Sequence, residues 1–221
     1  DRIIMAAKNV GADAIHPGFG FLSENSEFVR RCEENGIAFI GPTAEVIDKM
    51  GNKSQARSTM MEAGVPVVPG TKEPVYDAEV GAKLAEEIGY PVMIKASSGG
   101  GGKGMRVAEN PDEFEFQFNM AQRESANAFA DDTMYIERFV QNPRHVEIQI
   151  MADTQGHVVA LGERDCSVQR NHQKLIEESP SPAISAETRE AMNRYAVLAA
   201  KTVGYTNAGT IEFIVAPTGE F

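Results

Sequence analysis

Apolar and polar positions along this chain fall into two regimes, helix alternating with strand first and mainly strand later. Residues 2–9 read as the end of a helix closed by Gly11, and Ala12 to Ile15 as a short strand running into the turn His16-Pro17-Gly18-Phe19-Gly20. Ser26 to Asn35 read as a helix stopped by Gly36, and Ile37 to Ile40 as a strand ended by Gly41-Pro42. Thr43 is placed to cap a helix to Met50, and Asn52 to cap another to Ala63, stopped by Gly64. This β/α alternation predicts a parallel sheet.

The break Val65-Pro66-Val67-Val68-Pro69-Gly70 is a candidate boundary. Beyond it the spacing predicts an amphipathic helix over 77–88, a buried strand through Tyr90-Pro91-Val92-Met93-Ile94 and a second strand Met105-Arg106-Val107-Ala108. A helix follows from Pro111 to about Asn127. Strand signals then dominate, over 133–139, 144–151 and 157–164, with Asp153 to Gly156 as a hairpin turn. Gln173 to Glu178 read as another strand, Ser185 to Val203 as a helix, and Thr210 to Val215 as a last strand. Helices mixed with antiparallel strands make this part α+β, so the expected class is α/β then α+β.

The two central strands flank Ser97-Ser98-Gly99-Gly100-Gly101-Gly102-Lys103-Gly104, where five of the six positions 99–104 are glycine. Glycine lets a backbone reach positive φ and approach a ligand with no Cβ in the way. Successive N–H groups can then converge on phosphate oxygens, with Lys95, Lys103 and Arg106 supplying positive charge. A flexible linker is the other reading, but linkers are not flanked by tight apolar strands. The loop is no Walker sequence, because Gly104 follows Lys103 where Ser or Thr is required. It is no dinucleotide fingerprint either, because a strand and not a helix follows. Strand, glycine loop, strand describes a flap over phosphates.

Alternation sorts Arg144 to Ile150 into a polar set, His145, Glu147 and Gln149, and an apolar set, Val146, Ile148 and Ile150. An ordinary half-exposed strand has the same pattern. Glu212 is the one charge in the strand Thr210-Ile211-Glu212-Phe213-Ile214. A charge in such a place is costly unless paired or metal-bound, so Glu212 is a candidate Mg²⁺ ligand; a water-facing edge-strand glutamate is the alternative. Residues 163–174 are dense in polar groups and by composition alone read as a solvated loop.

The length of 221 residues, 42% hydrophobic, allows one large or two smaller domains with a real core. The formal net charge of −11 argues against nonspecific binding to nucleic acid or anionic membranes. No apolar run is long enough to span a membrane. Neither a signal peptide nor an initiator Met is visible, which points to an excerpt of a longer protein. Cys32 and Cys166 lie far apart and read as thiols, not a disulfide, of a reducing cytoplasm.

Seven motifs in order then carry a resemblance. They are His16 to Asn25 (HPGFGFLSEN), Ile40-Gly41-Pro42 with Met50-Gly51-Asn52-Lys53, Gly64-Val65-Pro66, the glycine loop, Asn142 to Gln149 (NPRHVEIQ), Glu163 to Lys174 (ERDCSVQRNHQK) and Gly209-Thr210-Ile211-Glu212-Phe213. With these the chain resembles the biotin carboxylases of the ATP-grasp superfamily. The resemblance implies the C-terminal half of a Rossmann-like pre-ATP-grasp domain over 1–50. An ATP-grasp domain, truncated at its C-terminus, follows over 51–221, with a lid at about 67–139.

By the same resemblance Lys53 and Lys95 match lysines that hold ATP phosphates, and Gly101 and Gly102 sit in the lid loop over them. Glu137, Arg138, Phe139 and Val140 match the hinge that holds adenine, through backbone groups of Arg138 and Val140. His145, Gln169 and His172 match further nucleotide-site residues. Lys174 matches a catalytic lysine between the γ-phosphate and bicarbonate, and Glu212 the first of two acidic ligands for Mg²⁺ or Mn²⁺. The second acidic ligand and the bicarbonate and biotin residues are expected beyond residue 221. The implied reaction makes carboxyphosphate from ATP and bicarbonate, then carboxylates biotin on its carrier. The implied partners are a biotin carboxyl carrier, a carboxyltransferase and a second copy in a homodimer. Another ATP-grasp ligase, or a nucleotide-binding module without turnover for the isolated segment, are the alternatives.

Overall fold

The structure is a computed structural model; it describes residues 1–18, 20–51, 53–97, 104–170 and 173–221, with the side chains of 53 and 54 outside that description. The chain divides into two compact units. One comprises Asp1–Val65, Val146–Asp165 and Glu178–Phe213; the other comprises Pro66–His145, Cys166–Glu177 and Ile214–Phe221.

The first unit begins with α1 (Arg2–Asn9), β1 (Ala14–Ile15), a 3₁₀ turn at Phe21–Glu24, α2 (Ser26–Glu34), β2 (Ala38–Phe39), α3 (Ala44–Gly51) and α4 (Lys53–Glu62). β1 and β2 pair in parallel, Ala14 opposite Ala38, as the β/α alternation predicts. Asn25 caps α2 by accepting from the Phe28 N–H at 2.8 Å, and Thr43 caps α3 by accepting from Val46 at 3.4 Å. Asn52, expected to cap α4, lies outside the described residues. Ile4, Ala7, Phe28, Val29, Cys32, Ile37 and Phe39 form the buried core here. Burial pushes the Cys32 thiol above its ordinary range, with Glu33 adding to the effect. That environment disfavours a thiolate and suits a packing role.

The second unit holds α5 (Ala78–Ile88), β3 (Val92–Ala96), β4 (Met105–Ala108), α6 (Pro111–Phe129) and β5 (Met134–Arg138). Asp77 caps α5, accepting from Glu79 at 2.9 Å and Val80 at 3.0 Å. Asn110 accepts from Glu113 at 3.2 Å and Pro111 takes the first turn of α6, where its missing N–H costs nothing. The sheet runs β4-β3-β5, antiparallel throughout. One face carries Val92, Ile94, Ala96, Met134 and Ile136, all buried with Phe114, Phe118 and Ala121 of α6. Gly104 closes the β3–β4 hairpin, its carbonyl accepting from the Ala96 N–H at 2.8 Å.

The later strands are β6 (Arg144–Ala152), β7 (Val158–Arg170), β8 (Gln173–Glu178) and β9 (Asn207–Val215), with α7 (Ala186–Val203) between the last two. They form a sheet in the order β8-β7-β6-β9. Ser185 caps α7, accepting from Thr188 at 3.1 Å. No helix among the described residues is long and apolar enough to cross a membrane.

One expectation changes here. The polar run from Glu163 is not a solvated loop: β7 continues through Arg170, and Glu163, Asp165 and Cys166 are buried. Composition misleads because the carboxylates are satisfied internally. Glu163 accepts from Arg189 Nε at 2.6 Å and from the Ser181 N–H at 3.1 Å, and Asp165 accepts from Ser181 Oγ at 3.0 Å. The alternation of β6 holds, with Val146, Ile148 and Ile150 buried and His145 and Gln149 partly buried. Glu147 departs from its polar set by being 5% exposed, and the register shift between Ile148 and Ile150 places its extra residue on β7.

Candidate functional site

In the second unit the sheet face away from α6 is half-open. Met93, Lys95, Met105, Val107, Tyr135 and Glu137 share it by register, and each is partly buried. Lys95 is ion-paired there with Glu137, at side-chain exposures of 30% and 26%. The face is an apolar floor carrying one cation and one anion. Arg106 takes no part in it. Strand alternation puts Arg106 on the opposite face from Met105 and Lys95, where it pairs with Glu124 of α6 at 2.9 Å. The positive charge expected around the glycine loop therefore comes, among the described residues, from Lys95 and not from Arg106.

The strand β5 leads directly into the remaining hinge residues. The Arg138 N–H donates to the Pro69 carbonyl at 2.7 Å and the Phe139 N–H to the Pro91 carbonyl at 2.9 Å. The Arg138 guanidinium donates to the Ile88 carbonyl at 2.8 Å. The Arg138 N–H is thus engaged within the fold. Further along, the His145 N–H donates to Ser167 Oγ at 3.1 Å, and Gln169 Nε2 donates to the Cys166 carbonyl at 2.8 Å. Lys174 is the second residue of β8 and is partly buried.

Glu212 lies in the first unit, exposed on β9. The same unit holds a connected polar network that the sequence reading left as an unassigned polar stripe. Glu147 is 5% exposed and accepts from Arg164, its direct cross-strand neighbour, at 2.7 Å from Nε and 2.5 Å from Nη2. Arg164 Nη1 donates to Gln149 Oε1 at 3.0 Å. Gln149 Nε2 donates in turn to the Gly209 carbonyl of β9 at 2.9 Å. The sequence signal was an acid and an amide at alternate positions of one strand; the Arg164 partner depends on register that only the fold supplies.

Of the expected site residues, Lys95 and Glu137 are brought into contact. Lys53 opens α4, its side chain outside the described set. Gly101, Gly102 and His172 also lie outside the described residues.

Two domain families match this chain: the carbamoyl-phosphate synthase L chain, ATP binding domain, over residues 52–221, and the biotin carboxylase, N-terminal domain, over residues 1–47. A biotin carboxylase of Nostoc sp. is 55% identical over 220 residues, covering 100% of this chain and 49% of the relative. Among solved structures, the chain is similar to a biotin carboxylase–beta-gamma-ATP complex from Campylobacter jejuni. There the TM-score is 0.89 and the identity 51%, over 99% of this chain and 49% of that one. It is also similar to the biotin carboxylase domain dimer of Hydrogenobacter thermophilus 2-oxoglutarate carboxylase with MgADP, ADP and bicarbonate. That likeness has a TM-score of 0.86 and 48% identity over 99% of this chain and 48% of that one. The mixed α/β architecture with small sheets is that of these structures. The chain spans about half the length of the curated relatives it matches.

Proposed function

Because this chain belongs to the biotin carboxylase family, we propose that its parent protein carboxylates biotin on a carrier at the expense of ATP, with bicarbonate as the carbon source. The observation that carries this reading is the whole-chain likeness to a biotin carboxylase solved with a nucleotide, at 51% identity. Residues 1–50 then form the C-terminal half of a Rossmann-like pre-ATP-grasp domain. Residues 51–221 form most of an ATP-grasp domain, with the lid at about 67–139.

Phosphoryl transfer needs positioning and charge stabilisation more than covalent help. On this reading Lys53 and Lys95 hold ATP phosphates, and Gly101 and Gly102 belong to the loop that covers them. Lys95 already stands on a half-buried face, where its charge is less screened than in water. The apolar floor of Met93, Met105, Val107 and Tyr135 suits a flat base. Its rim is Glu137 to Val140, with backbone groups of Arg138 and Val140 as the contacts to the base. His145, Gln169 and His172 complete the nucleotide surroundings. Lys174 is the cation between the γ-phosphate and bicarbonate.

Glu212 fits a hard divalent cation, being an exposed carboxylate oxygen donor on a strand with no other charge. A bound Mg²⁺ or Mn²⁺ would supply charge neutralisation at the phosphates. Water exclusion by the glycine lid protects a labile carboxyphosphate. The proposed partners are a biotin carboxyl carrier, a carboxyltransferase and a second copy of the protein, in the cytoplasm.

ADP release by the full-length protein, with MgATP and with or without bicarbonate and free biotin, tests the reading. Release that needs both is expected. Release that needs bicarbonate and ignores biotin would instead favour a second reading, an ATP-grasp ligase of the carbamoyl-phosphate type, to which the domain match over 52–221 also points. For the 221-residue segment taken alone, nucleotide binding without turnover is the expected behaviour.

A further inference from the structure

We propose that Gln149 is a positioning residue for the Glu212 carboxylate, acting through the backbone of β9. The proposal rests on the reading of Glu212 as a metal ligand. Gln149 sits where the β6–β7 ladder shifts register, between Ile148 and Ile150. The extra residue of that shift lies on β7, so Gln149 keeps the face it shares with Glu147. From there its amide bridges two strands: Oε1 accepts from Arg164 on β7, and Nε2 donates to the Gly209 carbonyl on β9. Nε2 also lies 3.2 Å from the Ile150 carbonyl.

Only a side chain with both an acceptor and a donor can make this bridge. Arg164 offers nothing but donors, and a carbonyl nothing but acceptors, so the orientation of the amide is fixed from both sides. Arg164 is in turn held by the buried Glu147, which makes the bridge stiff. At the far end, Tyr205 packs against Gly209 so closely that no side chain fits there. A Cβ there would stand 2.1 Å from the Tyr205 hydroxyl oxygen and 2.4 Å from its ring carbon Cζ. The start of β9 is thus fixed by Gln149 on one atom and by Tyr205 against another, three residues before Glu212. A ligand carboxylate on a strand is placed by its backbone, and the groups behind a ligand tune the metal as the ligand itself does.

The test uses the full-length protein, with Mn²⁺ and ADP as probes. Mn²⁺ binding in the presence of ADP is followed by the electron spin resonance signal of unbound Mn²⁺. ADP binding in excess chelator is followed by calorimetry. Gln149→Glu keeps the acceptor for Arg164 and loses the donor to Gly209. Mn²⁺ affinity is expected to fall about tenfold, the lower end for changes behind a ligand, with metal-independent ADP binding unchanged. Gln149→Met, which loses both contacts at similar volume, is expected to behave alike and replaces the first variant if that one does not fold. Unchanged Mn²⁺ affinity in either folded variant, where Glu212→Gln does weaken it, overturns the proposal alone. An equal loss of Mn²⁺ and metal-independent ADP affinity also overturns it, since that marks general loosening. Mn²⁺ affinity indifferent to Glu212→Gln overturns the metal-ligand reading and the proposal together.

Discussion

Lys95 and Glu137 meet diagonally across the β3–β5 ladder: the register puts Tyr135 opposite Lys95 and Met93 opposite Glu137. Long side chains reach along such a diagonal, whereas direct neighbours on this face are apolar. The pair is therefore set into an apolar surface with few competing polar groups, and the ammonium is held in place before a ligand arrives. A phosphate approaching this face meets a lysine already ordered, at the cost of sharing it with a carboxylate.

Removing the ammonium should weaken nucleotide binding. Lys95→Met in the full-length protein is expected to raise the Kd for MgATP by about tenfold to a hundredfold, the worth of one charged hydrogen bond. Glu137→Gln keeps an acceptor and loses the charge, with an expected change of about fivefold or less for a partly exposed pair. The double variant should show clear non-additivity, because both changes act on the same ammonium. Calorimetric titration of the four proteins checks this; strict additivity would mean the pair has no part in binding.

A second consequence concerns stability. Arg189 Nε stands 2.6 Å from Glu163, whose side chain is 2% exposed, and Arg189 Nη2 donates to the Ser181 carbonyl at 3.1 Å. Removing one partner of a buried pair leaves the other charge uncompensated. Here Arg189 is 31% exposed and the Ser181 N–H still donates to Glu163. The expected loss for Arg189→Met is thus about 2 kcal/mol, below the full buried-pair penalty. Glu163→Gln in the same background should recover part of that. Urea unfolding of the three proteins measures both numbers, and an Arg189→Met protein as stable as the parent would show the pair to be energetically idle.

These two ion pairs mark what was legible in the sequence. Thr43 was readable as a cap and the structure places a hydrogen bond on it, while Asn25, Asp77, Asn110 and Ser185 cap their helices without having been assigned that role from the sequence. The parallel β1–β2 pair followed from β/α alternation. Lys95 was singled out because a cation beside a glycine loop suggests phosphate chemistry, and the structure places it in an ion pair with Glu137 on the half-open face. Arg106 was misplaced because loop proximity says nothing about strand face. Glu163 and Asp165 read as solvent-facing because their partners, Ser181 and Arg189, are distant in sequence and meet them only in the fold. The Gln149 bridge was out of reach for a related reason. Gln149 is on the polar face that alternation predicts, but its partners Arg164 and Gly209 lie on other strands and meet it only through the sheet pairing.

The β6–β7 turn supplies a pH-dependent contact. Asp153 accepts from the His157 ring at 2.7 Å, from the His157 N–H at 2.9 Å and from the Gln155 N–H at 2.8 Å. The bond to the His157 side chain, then those to backbone N–H groups, hold its carboxyl below the ordinary value of 3.8. A carboxyl depressed on folding stabilises above its unfolded pKa, and that contribution is lost as pH falls through the folded pKa. The turn should thus hold at neutral pH and loosen only below about pH 4. Carboxyl-carbon NMR of the Asp153 resonance is expected to give a midpoint under 3.8. In His157→Ala the midpoint should move up; a midpoint unmoved by that change would assign the depression to the backbone N–H groups alone.

Gly104 offers a separable test of the hairpin beneath the glycine loop. Its φ is +68°, and a Cβ built on it would stand 2.8 Å from the Ala96 Cβ. Two costs therefore fall on Gly104→Ala: the left-handed backbone, about 1–2 kcal/mol for a residue with a Cβ, and a clash in a closed core, about 1–3 kcal/mol. Ala96 is 2% exposed and cannot move aside without displacing its neighbours in the Phe118 core. Gly104→Ala is expected to lose about 3 kcal/mol by chemical denaturation, combining the two terms. Adding Ala96→Gly removes the clash and leaves the backbone term, so it should recover more than half of the clash cost. Because Gly104 bonds back to Ala96, the residue after Lys95, the single variant should also disturb nucleotide binding more than its stability loss alone predicts. A variant that loses stability but binds MgATP as tightly as the parent would show that Lys95 is placed by β5 and not by the hairpin.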